Sequence, residues 1–147
     1  MLITKISAFN ELSIVELYDL LQLRSEVFVV EQDCVYQDID GKDQKALHVL
    51  GYKNEKLVAY TRIFKPGDYF KEASIGRVVV MENEREHSYG NVIMNASINA
   101  IKMHYNETTI KISAQTYLKR FYNNLKFIEV GEEYLEDGIP HIAMLRS

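Results

Sequence analysis

The chain has 147 residues, a size that suits one domain and buries roughly 68–70% of its unfolded surface without metals or disulfides. Apolar residues make up 47% and charged residues 26%, as in ordinary globular proteins, and the net charge of -4 argues against a broad nucleic-acid surface. The single Cys34 excludes an internal disulfide and fits a reducing compartment. The opening MLITKISAFNELS has neither a long apolar run nor a small-residue cleavage pattern, and no stretch approaches the roughly 20 apolar residues of a membrane span. A cytoplasmic protein is expected, with no membrane partner.

LITKISAF alternates as a first strand does. Ser13 with Glu16 forms a capping box, and Leu17, Leu20, Leu21, Val27 and Phe28 recur at helical spacing, which predicts a helix over about 14–30. EQDCVYQDIDGKDQKA is polar and Asp-rich and reads as a long loop. LHVLGYK and LVAYTRIF form a hairpin, KPGD turns the chain, and SIGRVVV is a strand whose continuous apolar end suggests burial on both faces. Tyr89, Val92, Ile93, Ala96 and Ala100 lie on one face of a second long helix. TIKISA, the short helix TYLKRFYNNL, and the strands FIEVGEEYL and PHIAML complete the order. No linker divides the chain, so one domain spans 1–147, an α/β mixed sheet with helices on both faces.

The passage from strand to second helix runs through Arg85, Glu86, His87, Ser88, Tyr89 and Gly90. A helix start presents free N–H groups that bind phosphate. Gly90 lets backbone come close to a ligand, Ser88 adds a hydroxyl, and Arg85 adds a charged fork. Such contacts are individually worth roughly 0.3–1 kcal/mol when exposed, and a solvated connection explains the same residues. The turn lacks the Gly-Lys-Ser/Thr ending of a P-loop and the three glycines of a dinucleotide fingerprint.

Downstream, ISAQTYLKRFYNNLKFIEV decides between these readings. With the turn, it resembles the GNAT N-acetyltransferase superfamily, whose acyl-CoA signature is Arg or Gln, two residues, Gly, one residue, then Gly or Ala. Here Arg85, Ser88 and Gly90 occupy it, with Ser88 in place of the first Gly. Gln115 stands at the family's Asn position, Leu118 at its Ala, and Lys126 at the Gly before Phe127, while the Phe121-Tyr122 pair is unchanged. LYDLLQLRSEVFVVEQDCVYQDIDG, LVAYTRIF, IGRVVV and EDGIPHIAM are similar to the ElaA-like branch, over nearly the whole chain.

The resemblance implies a mostly antiparallel sheet in which a bulge splays the fourth strand from the fifth. It implies acetyl-CoA as acyl donor, with the pantetheine arm along the backbone of Val78, Val79 and Val80. The pyrophosphate would lie on N–H groups from Glu86 through His87, Ser88, Tyr89 and Gly90 to Asn91, near Gln115 and Phe121. Tyr122 would protonate the leaving thiolate as a primary amine attacks the thioester directly, without an acyl-enzyme. Ser88 tolerates positive φ poorly, and Gln115 carries its amide one methylene further out than Asn.

The acceptor is a small-molecule amine or a peptide, and the superfamily leaves a homodimer open. Arg24, Glu31, Gln32, Asp38, Asp40 and His48 lie where the superfamily shapes its acceptor pocket, and an acidic loop attracts a cationic amine. Glu31 or His48 could take the amine proton; equally, Glu31 could pair with Arg24 and His48 be structural. His141 could also face the pocket. Asp38, Asp40 and Gly41 match part of a calcium loop, but Tyr36 and Leu47 stand where ligands belong, and no metal cluster is visible. Cys34 beside acidic residues makes a poor nucleophile. Two other readings stay open: an acyl-homoserine-lactone-synthase-like enzyme, and a non-enzymatic acyl-CoA-binding module.

Overall fold

The computed structural model describes residues Met1–Ser147. Strands β1 (Ile3–Ala8), β2 (Leu47–Lys53), β3 (Lys56–Phe64), β4 (Ala73–Val80), β5 (Ile110–Gln115), β6 (Ile128–Glu136) and β7 (Ile139–Arg146) form one sheet in the order β1-β2-β3-β4-β5-β7-β6. Helices α1 (Ile14–Arg24), α2 (Tyr89–Tyr105) and α3 (Lys119–Asn124) complete it. Every neighbouring pair is antiparallel except β4 and β5, which run parallel and pair only at Ala73–Ile110 and Ser74–Lys111. No helix is long and apolar enough to cross a membrane.

Strand alternation sends apolar side chains to both faces, and each face carries a helix. Val49, Ile63 and Ile75 pack with Ile93, Met94 and Ile101 of α2. On the other face Leu50, Tyr60 and Val79 pack with Leu20 and Leu23 of α1. Full burial of one such Leu contributes roughly 1.5–3 kcal/mol. Ser13 accepts from Glu16 N while the Glu16 carboxylate accepts from Ser13 N, which is the expected capping box at the start of α1.

The expected helix over 14–30 changes its winding part-way. After Arg24 the segment Ser25–Glu31 is a π-helix, and its wide turns continue in bonds from Gln32 N to Val27 O and from Cys34 N to Val29 O. Hydrophobic spacing marks a buried stripe but does not distinguish four-residue from five-residue bonding over two turns.

β4 carries an extra residue. Tyr60 pairs with Val79 and Arg62 with Gly76, so Arg77 and Val78 together oppose Thr61. Arg77 adopts φ 51 to accommodate this bulge. Beyond Ser74 the strand has parted from β5, and a V-shaped opening separates the two.

The Asp-rich loop is fastened over the α1 face by buried charges. Arg24 bonds Asp38 Oδ2 at 2.9 Å and Asp43 Oδ1 at 2.7 Å; Arg62 bonds Asp43 Oδ1 at 3.0 Å and Asp40 Oδ2 at 2.6 Å. Arg77 Nε lies 2.8 Å from Asp38 Oδ1. Burial works against the Asp40 and Asp43 carboxylates, but the arginines outweigh it and hold both below the usual range. His48 lies in the same layer, fully buried, with Nδ1 2.5 Å from Tyr60 Oη and Nε2 2.9 Å from Asp43 O. Burial holds its pKa below the ordinary histidine value.

Removing one partner of a buried pair strands a charge and costs roughly 3–5 kcal/mol. Asp43→Ala, which leaves two arginines short of a partner, is therefore expected to lower the unfolding free energy by about that amount in urea titration. Acid acts in two stages. His48 stays neutral when folded but protonates near 6.5 once released, so stability falls as pH drops through about 6.5. Below about 4 the unfolded chain binds protons that the ion-paired Asp40 and Asp43 refuse, and stability falls further. Melting temperature against pH should show both stages, and His48→Gln should lack the first.

Candidate active site

The V between β4 and β5 opens into two cavities that share a throat. One, of about 500 Å³, lies between β4, the π-helical segment and the start of α2. The other, of about 480 Å³, lies toward the β6–β7 turn. Phe28, Gln32, Val78, Gln115, Leu118 and Tyr122 line both. Across this throat Gln32 Nε2 donates to Gln115 Oε1 at 3.2 Å.

The first cavity gathers most of the expected donor-site residues. Val78, Val79 and Val80 supply one wall, Arg85, Glu86, Ser88, Gly90 and Asn91 the head, and Gln115, Phe121 and Tyr122 the far side. Two expected residues face elsewhere. His87 is exposed and packs on Tyr89 at 5.2 Å, and the Tyr89 ring is buried in the α2 core, where it anchors the turn.

The head of this cavity is the start of α2. Asn91 N and Val92 N both donate to Ser88 O, at 3.1 and 3.3 Å. The N–H groups of Tyr89 and Gly90 come before the first helical donor, Asn91 N, and have no acceptor within the helix, so they remain for an anion, a narrower set than Glu86–Asn91. Ser88 takes φ 60 and ψ 26 and makes no side-chain cap bond. It thus holds a left-handed conformation that a Gly would adopt freely, at a cost of roughly 1–2 kcal/mol. Gly90 serves packing: a methyl group there would stand 3.2 Å from Phe121 Cζ.

Arg85 is already engaged. Its Nε donates to Val80 O at 3.0 Å, and its two terminal nitrogens bond the Glu31 carboxylate at 2.6 and 2.8 Å. Glu31 therefore pairs with Arg85 and not with Arg24, and of these two cavities it lines the first and not the second. The fork ties the π-helical segment to the end of β4.

Tyr122 is fixed by the end of its helix. Lys126 adopts φ 76, its N–H bonds Asn123 O at 3.0 Å, and Phe127 N bonds Tyr122 O at 3.1 Å. This is a Schellman turn, and Phe127 closes it with a ring 6.1 Å from that of Tyr122. Phe121 meets the Tyr122 ring edge-on at 5.0 Å. Burial, reinforced by Tyr117, pushes the Tyr122 phenol well above its ordinary value, so it holds its proton at neutral pH.

His48 lies apart from both cavities, and neither ring nitrogen is open. The geometry gives it a structural place between β2, β3 and the loop. Arg24, Asp38 and Asp40 likewise belong to the buried ion layer, so these carboxylates are paired with arginines and not turned toward an amine. The second cavity instead has Glu136, Asp137 and His141 on its wall with Tyr36, Tyr69 and Phe70. Of these, sequence reasoning raised only His141 for the pocket. Placement of the others depends on strand pairing between β5, β7 and β6.

A mixed sheet splayed beside a bulged β4 is the architecture of acyl-CoA N-acyltransferases. The crystal structure of such an enzyme from Pseudomonas aeruginosa matches with TM-score 0.91 and 37% identity over 99% of both chains. That of Escherichia coli ElaA matches with TM-score 0.92 and 44% identity over 100% of both. In sequence, protein ElaA of E. coli K12 is 48% identical over 140 residues, 94% of this chain and 92% of its own length. The family model for the acetyltransferase (GNAT) domain matches residues 11–147. The chain belongs to the GNAT acetyltransferase family and is a homologue of ElaA.

Ser88→Gly removes the left-handed strain but adds freedom to the unfolded chain, so a net gain of about 0.5–1 kcal/mol is expected. Urea titration checks this. Ser88→Ala keeps the strain and should show no such gain.

Proposed function

We propose that this protein is a cytoplasmic N-acetyltransferase that moves the acetyl group of acetyl-CoA to a primary amine in a ternary complex. The observation that carries the reading is the shared throat: two cavities meet at Tyr122, one suited to each substrate. The backbone of Val78, Val79 and Val80 would hold the pantetheine arm, because β4 has lost β5 as a neighbour there. The free N–H groups of Tyr89 and Gly90 would take the pyrophosphate, with Arg85 released from Glu31 as a further contact.

In the reaction the amine nitrogen attacks the thioester carbon, a C–N bond forms and the C–S bond breaks. The departing sulfur takes a proton from Tyr122 Oη. A phenol at the junction of the two cavities can supply that proton, and a positioned acid contributes roughly 10²–10⁴-fold. Direct transfer needs no nucleophilic side chain.

Tyr122→Phe is expected to lower acetyl-transfer turnover by about 10²-fold or more while calorimetry shows acetyl-CoA still binding. Equal turnover of variant and parent would remove the acid assignment. Binding of free adenosine as tight as that of acetyl-CoA would count against the donor site. Turnover confined to a long-chain acyl-CoA with S-adenosylmethionine would replace this reading with a synthase of the acyl-homoserine-lactone kind.

A further inference from the structure

The reaction above leaves one proton unassigned. An alkylamine near neutral pH is an ammonium, whose ordinary value resembles that of lysine at about 10.4, and its nitrogen cannot attack until it loses a proton. Glu31 lies on the donor side in a fork with Arg85, and His48 is sealed in the ion layer.

We propose, on the basis of that transferase reading, that the acceptor enters the second cavity as an alkylammonium and that His141 takes its proton. His141 is only 6% exposed, yet it lines that cavity. Its Nδ1 lies 2.7 Å from Ile139 O, and a carbonyl only accepts, so Nδ1 carries the hydrogen. In the neutral ring the lone pair is therefore on Nε2, which makes no hydrogen bond and stands 3.5 Å from Glu136 Oε2. A proton arriving at Nε2 lies beside that carboxylate.

The sheet sets this ring beside the throat. In β7, His141 is directly opposite Gln115 of β5 on one side and Tyr134 of β6 on the other. Side chains directly opposite share a face, with Cβ atoms roughly 4.5–5.5 Å apart. Gln115 lines both cavities, so His141 stands one cross-strand pair from where the cavities join. Tyr134 stacks on the imidazole at 6.2 Å and 24°, and Ser113 bonds both Tyr134 Oη and Glu136 Oε1. The ring is thus held on its far side by a fixed polar row.

The charges on the wall favour a cation. Glu136 and Asp137 border the cavity, while Arg77 is committed to Asp38. The titratable groups that share the cavity wall with His141 are Glu136 from β6, Asp137 from the β6–β7 turn, Arg77 from β4, Tyr69 from the β3–β4 connection, Tyr122 from α3, and Cys34 and Tyr36 from the loop, with Tyr134 of β6 stacked on its ring. In sequence, one ammonium proton passes to His141 Nε2 and the neutral nitrogen attacks the thioester carbon. The C–S bond breaks, sulfur takes the Tyr122 proton, and the second nitrogen proton restores the phenol. The products are the amide, CoA thiol and a protonated His141.

The test measures CoA release by the full chain with acetyl-CoA and butylamine, diaminobutane or diaminopentane. Near neutral pH, His141→Gln is expected to lose about 10²-fold in kcat with acetyl-CoA affinity unchanged. The deficit should shrink as pH approaches the amine's own value, and added imidazole should restore part of the rate. Turnover equal to the parent, or a deficit constant across pH without rescue, overturns the proposal and leaves the transferase reading intact. Acetyl-CoA binding without acetylation of any of the three amines overturns the alkylammonium assignment, whereas failure to bind acetyl-CoA removes the transferase reading and this proposal with it. Nitrogen-15 spectra of the parent give a measurement independent of the variant's folding: in the neutral form of His141 the hydrogen is expected on Nδ1, and a neutral form with hydrogen on Nε2 overturns the assignment.

Discussion

One residue too many in β4 governs the site. Because Arg77 and Val78 together face Thr61, β4 turns away from β5 after Ser74, and the sheet opens where a continuous ladder would have closed it. The opening exposes backbone on β4, admits the π-helical segment on one side and α3 on the other, and creates both cavities. A bulge with φ 51 at a non-glycine residue is costly unless something holds it. Here the same Arg77 grips the Asp38 carboxylate and carbonyl, so the side chain that bends the strand also fastens the loop above it.

Two further positions repeat this pattern of strain in the service of shape. Ser88 at φ 60 and Lys126 at φ 76 are non-glycine residues in the left-handed region. Each holds that conformation at a cost of roughly 1–2 kcal/mol. The first sets the start of α2, where N–H groups remain unpaired; the second closes the turn that fixes Tyr122.

Charge is distributed in a way that composition conceals. The Asp-rich loop is the most acidic-looking part of the chain, yet its carboxylates face Arg24, Arg62 and Arg77 beneath it. Desolvating these groups is costly, and the layer's value is positional: it fixes the loop that walls the second cavity. The carboxylates that border that cavity come instead from the β6–β7 turn.

Hydrophobic periodicity and turn residues were enough to place every strand and helix in order, because side-chain period reports local geometry directly. The Arg85–Gly90 turn and the Phe121-Tyr122 helix were legible as well, since each is a short contiguous motif. The sequence did not determine the π winding after Arg24, the partner of Glu31, or the fate of each histidine. His48 and His141 are both histidines on strands. Strand register alone seals the first opposite Arg62 and sets the second opposite Gln115 at the throat. Register joins residues far apart in the chain, and the bulge that opens the sheet is fixed by pairing across three strands. Those are long-range constraints, so only the tertiary structure decides which polar groups are consumed by the fold and which are left for chemistry.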